Sequence, residues 1–177
     1  SHSELEEAVA KLGEQAALLN MAVDAILAID PAGRLRFWNK GAEALYGFSS
    51  EESVGRPVDE VLSGTGFPPL QEILSNTTES GTWESQGIHT TGTGKTVPVE
   101  TRCTVKRDDA GHVTSILVIN RDISKRRAAE DALRRTENLF STAFHANPLP
   151  IAISRLQDGV FVDVNEAFLK LMGATRE

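Results

Sequence analysis

Shifted by 126 residues, the sequence matches itself. "GRLRFWNKGAEALYGFSSE" (33–51) lies over "GVFVDVNEAFLKLMGATRE" (159–177) without a gap. Gly33/Gly159, Asn39/Asn165, Leu45/Leu171, Gly47/Gly173 and Glu51/Glu177 are identical. The match spans a turn, a strand, an Asn that opens a helix and the Gly that closes it. Gly permits positive φ at the turn and the helix end, and Asn can cap the helix after it. The repeated object is a supersecondary unit, so the chain holds two copies of one domain. The second copy starts near residue 144, with "PLPIAISRLQDG" as its first strand and turn. It has a first hairpin and a first helix only. Half a sheet cannot bury its apolar face alone. Residues 144–177 are therefore expected to be disordered or packed on a neighbouring chain, the truncated start of a second domain in a longer tandem protein.

Local pattern fills in the first copy. "AILAIDPAGRLRFWN" (25–39) places two short apolar runs around the turn signal Asp30-Pro31-Ala32-Gly33 and reads as a hairpin. "KGAEALYGF" and "SSEESVGRPVDEVL" give short helical turns, with Ser50 in an N-cap region that is not a capping box. "PPLQEILSNTTESG" (68–81) gives another helix, with Pro68 and Pro69 in its first turn and Gly81 past its end. Three strands follow at 82–91, 96–107 and 112–123. Val97, Val99, Thr101, Cys103 and Val105 share one face of the second. The third is apolar on both faces through Ile116, Leu117, Val118 and Ile119, which predicts a central strand or one covered on both sides. The order β-β-α-α-α-β-β-β gives an α+β domain over 23–124, one antiparallel sheet with short helices on one face.

Two amphipathic helices flank this domain. Leu5, Val9, Leu12, Ala16 and Leu19 form a heptad seam in the helix of residues 1–22. This helix packs either on its own domain or against a second subunit. Ala129, Leu133, Thr136, Phe140 and Ala143 repeat the spacing more weakly in the linker helix 125–143. That second helix starts, unexpectedly, with Lys125-Arg126-Arg127, because cations are disfavoured at a helix N-terminus. Ser124 is expected to cap it, Asp122 to offset the charge, and Arg126/Glu130 and Arg127/Asp131 to pair one turn on.

Composition excludes several classes. Net charge is −7, which argues against nucleic acid as a partner. The single cysteine, Cys103, excludes an internal disulfide and a multi-cysteine metal site. No apolar run reaches a membrane span, so direct membrane contact is not expected and a cytoplasmic location is. Among His2, His89, His112 and His145 none belongs to a cluster with metal spacing. "GTGK" (92–95) lacks the rest of a phosphate loop, and no nucleophile–base set is present, so the segment is not expected to be an enzyme.

Asn39, Gly47 and Gly55, the stretch "YGFSSEESVGRP", "GTW" (81–83) and "RDIS" (121–124) together resemble the PAS domain family. The resemblance covers 23–124 and, in part, 144–177. It implies a five-stranded antiparallel sheet with helices over one face, a space between them for a small ligand, haem or flavin, and homodimers through the terminal helices. Pocket-lining candidates are Ile29, Phe37, Leu45, Tyr46, Leu62, Leu74, Val99, Thr101, Cys103 and Leu117. Photoactive flavin members need a reactive helical Cys and haem members a His on the long helix; "GRPVDEVLSG" and "PPLQEILSNTTESG" supply neither. Trp83 sits where redox members often have Trp, but the Asn and Arg that commonly follow are absent, so no tightly bound cofactor, FAD or haem, is expected. His89, on the Trp83 face, reads as a surface or satisfied histidine. Asp122, Ile123 and Ser124 form the expected signal junction. The resemblance implies a sensory module of a bacterial two-component protein, with a histidine kinase as its attached output domain. The alternatives are a ligand-free dimerisation or docking module, or the sensory part of a cyclic-dinucleotide enzyme or transcription regulator.

Overall fold

The computed structural model describes residues 2–77 and 81–175; Leu5 has its side chain, and Glu177 its whole residue, outside that set. The chain divides into two units, 1–124 and 125–177.

The first unit opens with helix α1 (His2–Met21). Strands β1 (Ala25–Ile29) and β2 (Leu35–Trp38) follow as the expected hairpin. Its turn is held by Asp30, whose carboxylate accepts from the Ala32 and Arg34 amides at 2.9 and 3.0 Å. Four short helices come next: α2 (Lys40–Tyr46), α3 (Ser50–Ser53), α4 (Val58–Val61) and α5 (Leu70–Asn76). At α3 the N-cap is Ser49, not Ser50. Ser49 and Glu52 satisfy each other's backbone N–H groups in a capping box, which the sequence reading had excluded. Helix α5 is shorter than its pattern: Pro69 stands just before it and Thr77 just after.

Strands β3 (Thr82–Thr90), β4 (Thr96–Arg107) and β5 (Val113–Asp122) complete a five-stranded antiparallel sheet in the order β2-β1-β5-β4-β3. Chain-distant β1 and β5 thus lie side by side, pairing Ala25 with Asn120 and Ile29 with Ile116. One face buries Ala25, Leu27, Ile29, Leu35, Trp38, Cys103, Val105, Ile116 and Val118 against Ala42, Tyr46, Val58, Val61, Leu62, Phe67 and Ile73. The PAS-like α+β arrangement expected from the sequence is the observed one.

Two pocket candidates lie on the opposite face. Between Ala28 and Ile29 the β1–β2 register shifts, pairing Ala28 with Phe37 but Ile29 with Leu35. Arg36 is the extra residue, and the bulge turns Phe37 away from the helices to stand beside Ala28. Leu117 also pairs with Ala28 and is 42% exposed. β5 is central in hydrogen bonding, but only its Ile116–Val118 face is buried, so a two-sided apolar run here does not mean two-sided cover.

The second unit holds helix α6 (Ser124–Ala146), strands β6 (Ala152–Ser154) and β7 (Phe161–Val164), and helix α7 (Glu166–Met172). The α6 helix itself begins at Ser124, the last residue of the first unit. β6 and β7 pair antiparallel. Residues expected to be disordered, or ordered only on a neighbouring chain, thus form a hairpin and a helix. Leu149, Phe161, Val162 and Leu171 are each more than 60% exposed.

Candidate functional site

Alternation carries polar groups into the interior. On β3, Trp83, Ser85, Gly87 and His89 pair with Cys103, Thr101, Val99 and Val97 of β4, so His89 stands on the core face. On β5, Asn120 continues the Ile116–Val118 stripe and pairs with Thr101. Helix α2 lowers Tyr46 onto the same place. His89, Thr101, Asn120 and Tyr46 are all buried.

These four side chains form one hydrogen-bonded chain. Thr101 Oγ1 donates to Asn120 Oδ1 at 2.7 Å, and Asn120 Nδ2 donates to the Tyr46 hydroxyl at 2.8 Å. The Tyr46 oxygen lies 2.9 Å from His89 Nδ1. The phenol oxygen accepts from Asn120, and a Tyr46 proton donated to Nδ1 continues the chain in one direction when His89 is the neutral tautomer protonated on Nε2. Burial pushes the His89 pKa down to about 4 and the Tyr46 hydroxyl up, away from ionisation. The chain is neutral from end to end and links three strands to α2. Rings pack around it: Phe67 meets His89 edge-on at 6.2 Å, and Trp38 meets Tyr46 at 5.7 Å.

Glycine sets the approach of α2. Gly47 ends that helix at φ 79°, and a Cβ there would lie 2.7 Å from Gly92 Cα in the β3–β4 hairpin. A Cβ on Gly92 would run into the Tyr46 carbonyl oxygen. The two backbones cross where no side chain fits, which seats Tyr46 over the sheet.

Of the remaining pocket candidates, Ile29, Leu62, Val99 and Cys103 are buried under the helices, while Leu45 and Leu74 are partly buried against the core. Burial pushes the Cys103 thiol up to about 12, far from a reactive thiolate. Leu45 and Asp122 also line an open cleft of about 320 Å³ beside the Gly47–Gly92 crossing. Among the described residues no group of three or more His, Cys, Asp or Glu could hold a metal ion, and no helix is long and apolar enough to cross a membrane.

The junction differs in one detail from expectation. Ser124 is the first residue of α6 and not its cap. Its amide donates to Asp122 Oδ1 at 2.8 Å, so Asp122 is the capping carboxylate. Only Ile123 separates β5 from α6. It is 2% exposed, and its N–H donates to Pro98 O at 3.0 Å. Downstream, Arg126 lies 3.9 Å from Glu130, while Asp131 pairs with Arg134 at 3.1 Å. Along the expected seams, Val9, Leu12, Leu19, Leu133 and Phe140 are exposed, and Ala16 is half-buried.

Sequence reasoning missed the polar chain. Asn120 was in phase with Ile116 and Val118, a polar residue in a buried stripe, and His89 was in phase with Trp83 opposite Val97. Both signals were present, but the Tyr46 hydroxyl that joins them comes from 74 residues before Asn120.

A family profile described as "PAS fold" matches residues 19–128, and one described as "PAS domain" matches 138–177. Phytochrome C of Arabidopsis thaliana is 24% identical over 183 residues, covering 98% of this chain and 16% of that protein. The signal transduction histidine-protein kinase AtoS of Escherichia coli (strain K12) is 26% identical over 123 residues, covering 69% of this chain and 20% of the kinase. The chain thus spans about a sixth to a fifth of these relatives. Among solved structures, the PAS domain of a protein from Colwellia psychrerythraea aligns with TM-score 0.52 and 29% identity over 64% of this chain and 98% of its own. The PAS domain of an HTR-like protein from Haloarcula marismortui aligns with TM-score 0.52 and 25% identity over 69% and 97%. With a profile match over more than half its length, the described sheet and helices, and a second match after them, the chain belongs to the PAS domain family.

Proposed function

We propose that this chain is a sensory relay. Its first domain turns a change at the buried Thr101–Asn120–Tyr46–His89 chain into a movement of α6, and α6 passes that movement to an output domain. One observation carries the reading. Asn120 is a member of the buried chain, and Asp122, two residues further along the same strand, holds the first amide of α6. A displacement of β5 therefore reaches the helix with no flexible segment between, and shifts worth about 1–2 kcal/mol suffice to change the population of two packings. The similarity to AtoS makes a histidine kinase the proposed output. The chain acts as a homodimer through the exposed seams of α1 and α6, carries no tightly bound flavin or haem, performs no chemistry itself and works in the cytoplasm.

The test is a fusion of residues 1–146 to the dimerisation and catalytic region of a histidine kinase, read by autophosphorylation. Tyr46→Phe and the double variant Asp122→Ala/Ser124→Ala each shift output about tenfold from wild type, an effect of about 1.4 kcal/mol. Output unmoved by both refutes the relay. An absorbance scan of the purified protein tests the cofactor statement: a flavin or Soret band overturns it.

The polar chain also favours a second reading, in which a small neutral hydrogen-bonding molecule enters between α2 and the sheet and replaces the Tyr46 bonds. Native mass spectrometry of the purified protein separates the two readings by the mass of any retained molecule.

A further inference from the structure

We propose that Asn39 and Asn165 are positioning residues. Each fastens the end of a long helix to the first strand and first short helix of the domain that follows, through one carboxamide. Asn39 Oδ1 accepts from Ile26 N at 2.8 Å and Ala42 N at 2.9 Å, while its Nδ2 donates to Leu19 O at 2.9 Å and Asp24 O at 3.0 Å. Asn165 repeats the pattern. Its Oδ1 accepts from Ile151 N at 2.9 Å and Phe168 N at 3.0 Å, and its Nδ2 lies 3.1, 3.3 and 2.8 Å from the carbonyls of Phe144, Asn147 and Leu149. Both residues are 0% exposed.

An N-cap needs only the acceptor, and Asp or Ser serves there as well as Asn. The amide half does something else. Leu19 lies in the last turn of α1 and Phe144 in the last turn of α6, where carbonyls lack i+4 helical partners, and Leu19 O otherwise accepts only a long bond from Ala22 N at 3.3 Å. The Asn NH2 satisfies them, and in doing so fixes where each helix ends relative to the domain behind it. Every atom bonded by Asn39 has its bonded equivalent at Asn165, with Asn147 O an added partner there, although the second copy has one more residue between Ile151, just before β6, and its Asn than the first has between Ile26 and Asn39. A contact kept across a change in loop length is a built feature.

The consequence for signalling rests on the relay reading. Helix α6 starts at the Asp122 cap of the first domain and ends in the Asn165 carboxamide of the second. A rotation or slide of α6 must either carry Asn165, and with it Ile151 and α7, or break its bonds to Phe144 O. On this view the second domain receives the signal through its own helix-clamping Asn.

Asn165→Asp separates clamp from cap in the full 177-residue chain, because Asp keeps the acceptor and loses the donors. Amide hydrogen exchange read by mass spectrometry is expected to be about tenfold faster over 141–152 and unchanged over 166–172. Asn165→Ala speeds both segments. Asn39→Asp repeats the test within the complete sheet, with faster exchange over 17–26 and unchanged exchange over 42–46. It decides the matter if the second unit unfolds in Asn165→Asp. Wild-type exchange over 17–26 and 141–152 in the Asp variants overturns the proposal. Tyr46→Phe tests the relay step: it is expected to alter exchange over 151–154 in wild type but not with Asn165→Asp. The same change in both backgrounds overturns the receiving role. No change in α6 on Tyr46→Phe counts against the relay reading alone, and the Asp variants still judge the clamp.

Discussion

Burial keeps His89 neutral, and this makes the first unit sensitive to acid. Its pKa in the folded chain is about 4, against about 6.5 when exposed. Between those values the unfolded chain binds the extra proton, so stability is complete above about pH 6.5 and falls as pH drops toward 4. The slope contributed is about 1.4 kcal/mol for each pH unit inside that window. Urea unfolding from pH 7 to 4 checks it: His89→Gln is expected to flatten the curve relative to wild type. Equal pH dependence in the two proteins contradicts the neutral, buried state. Tyr46→Phe removes the hydroxyl that joins His89 to Asn120 and leaves two buried groups without their partner, which costs about 1–3 kcal/mol in the same assay. At this scale the sequence was readable for apolar positions, since alternation alone puts Val97, Val99 and Cys103 inside. It was less readable for Phe37, because a one-residue bulge at Arg36 reverses its face without leaving a glycine or proline to mark it.

At the scale of elements, backbone crossings and caps set the geometry. Gly92→Ala drives a methyl into the Tyr46 carbonyl where α2 crosses the β3–β4 hairpin. The variant is expected to lose several degrees of Tm and to speed amide exchange in α2 and β3 together. Normal stability would mean the crossing can open freely. Asp122→Ala removes the carboxylate that receives the Ser124 N–H. Loss of such a cap costs about 1 kcal/mol, so exchange over 124–128 should rise about fivefold while β1 and β4 stay protected. Unchanged exchange there shows that the Lys125-Arg126-Arg127 start needs no carboxylate. This answers the question that basic triplet poses: Asp122 supplies the negative charge that the first turn of α6 itself lacks. Helix and strand positions were legible from turn signals and period. The caps were misplaced by one or two residues, at Ser49 and Asp122, because neighbouring Ser and Asp residues are chemically equivalent until the backbone chooses between them.

For the whole molecule, pairing of chain-distant β1 and β5 decides what the fold can do. It sets the end of α1 and the start of α6 on neighbouring strands, a relation that strand-by-strand reading does not contain. Number and type of elements followed from local chemistry, whereas the order β2-β1-β5-β4-β3 depends on contacts about 90 residues apart. The exposed α1 seam belongs to the same scale. Val9→Glu/Leu12→Glu is expected to convert a dimer to a monomer by light scattering, with Tm of the sheet domain unchanged. A wild-type protein that is already monomeric at high concentration removes the dimer from the account. The most direct test of the relay is amide exchange along α6 in wild type and Tyr46→Phe. The account predicts faster exchange over residues 122–130 in the variant, carried from the buried hydroxyl through β5. Exchange that rises in β3 and β5 but stays at the wild-type rate throughout α6 would contradict it.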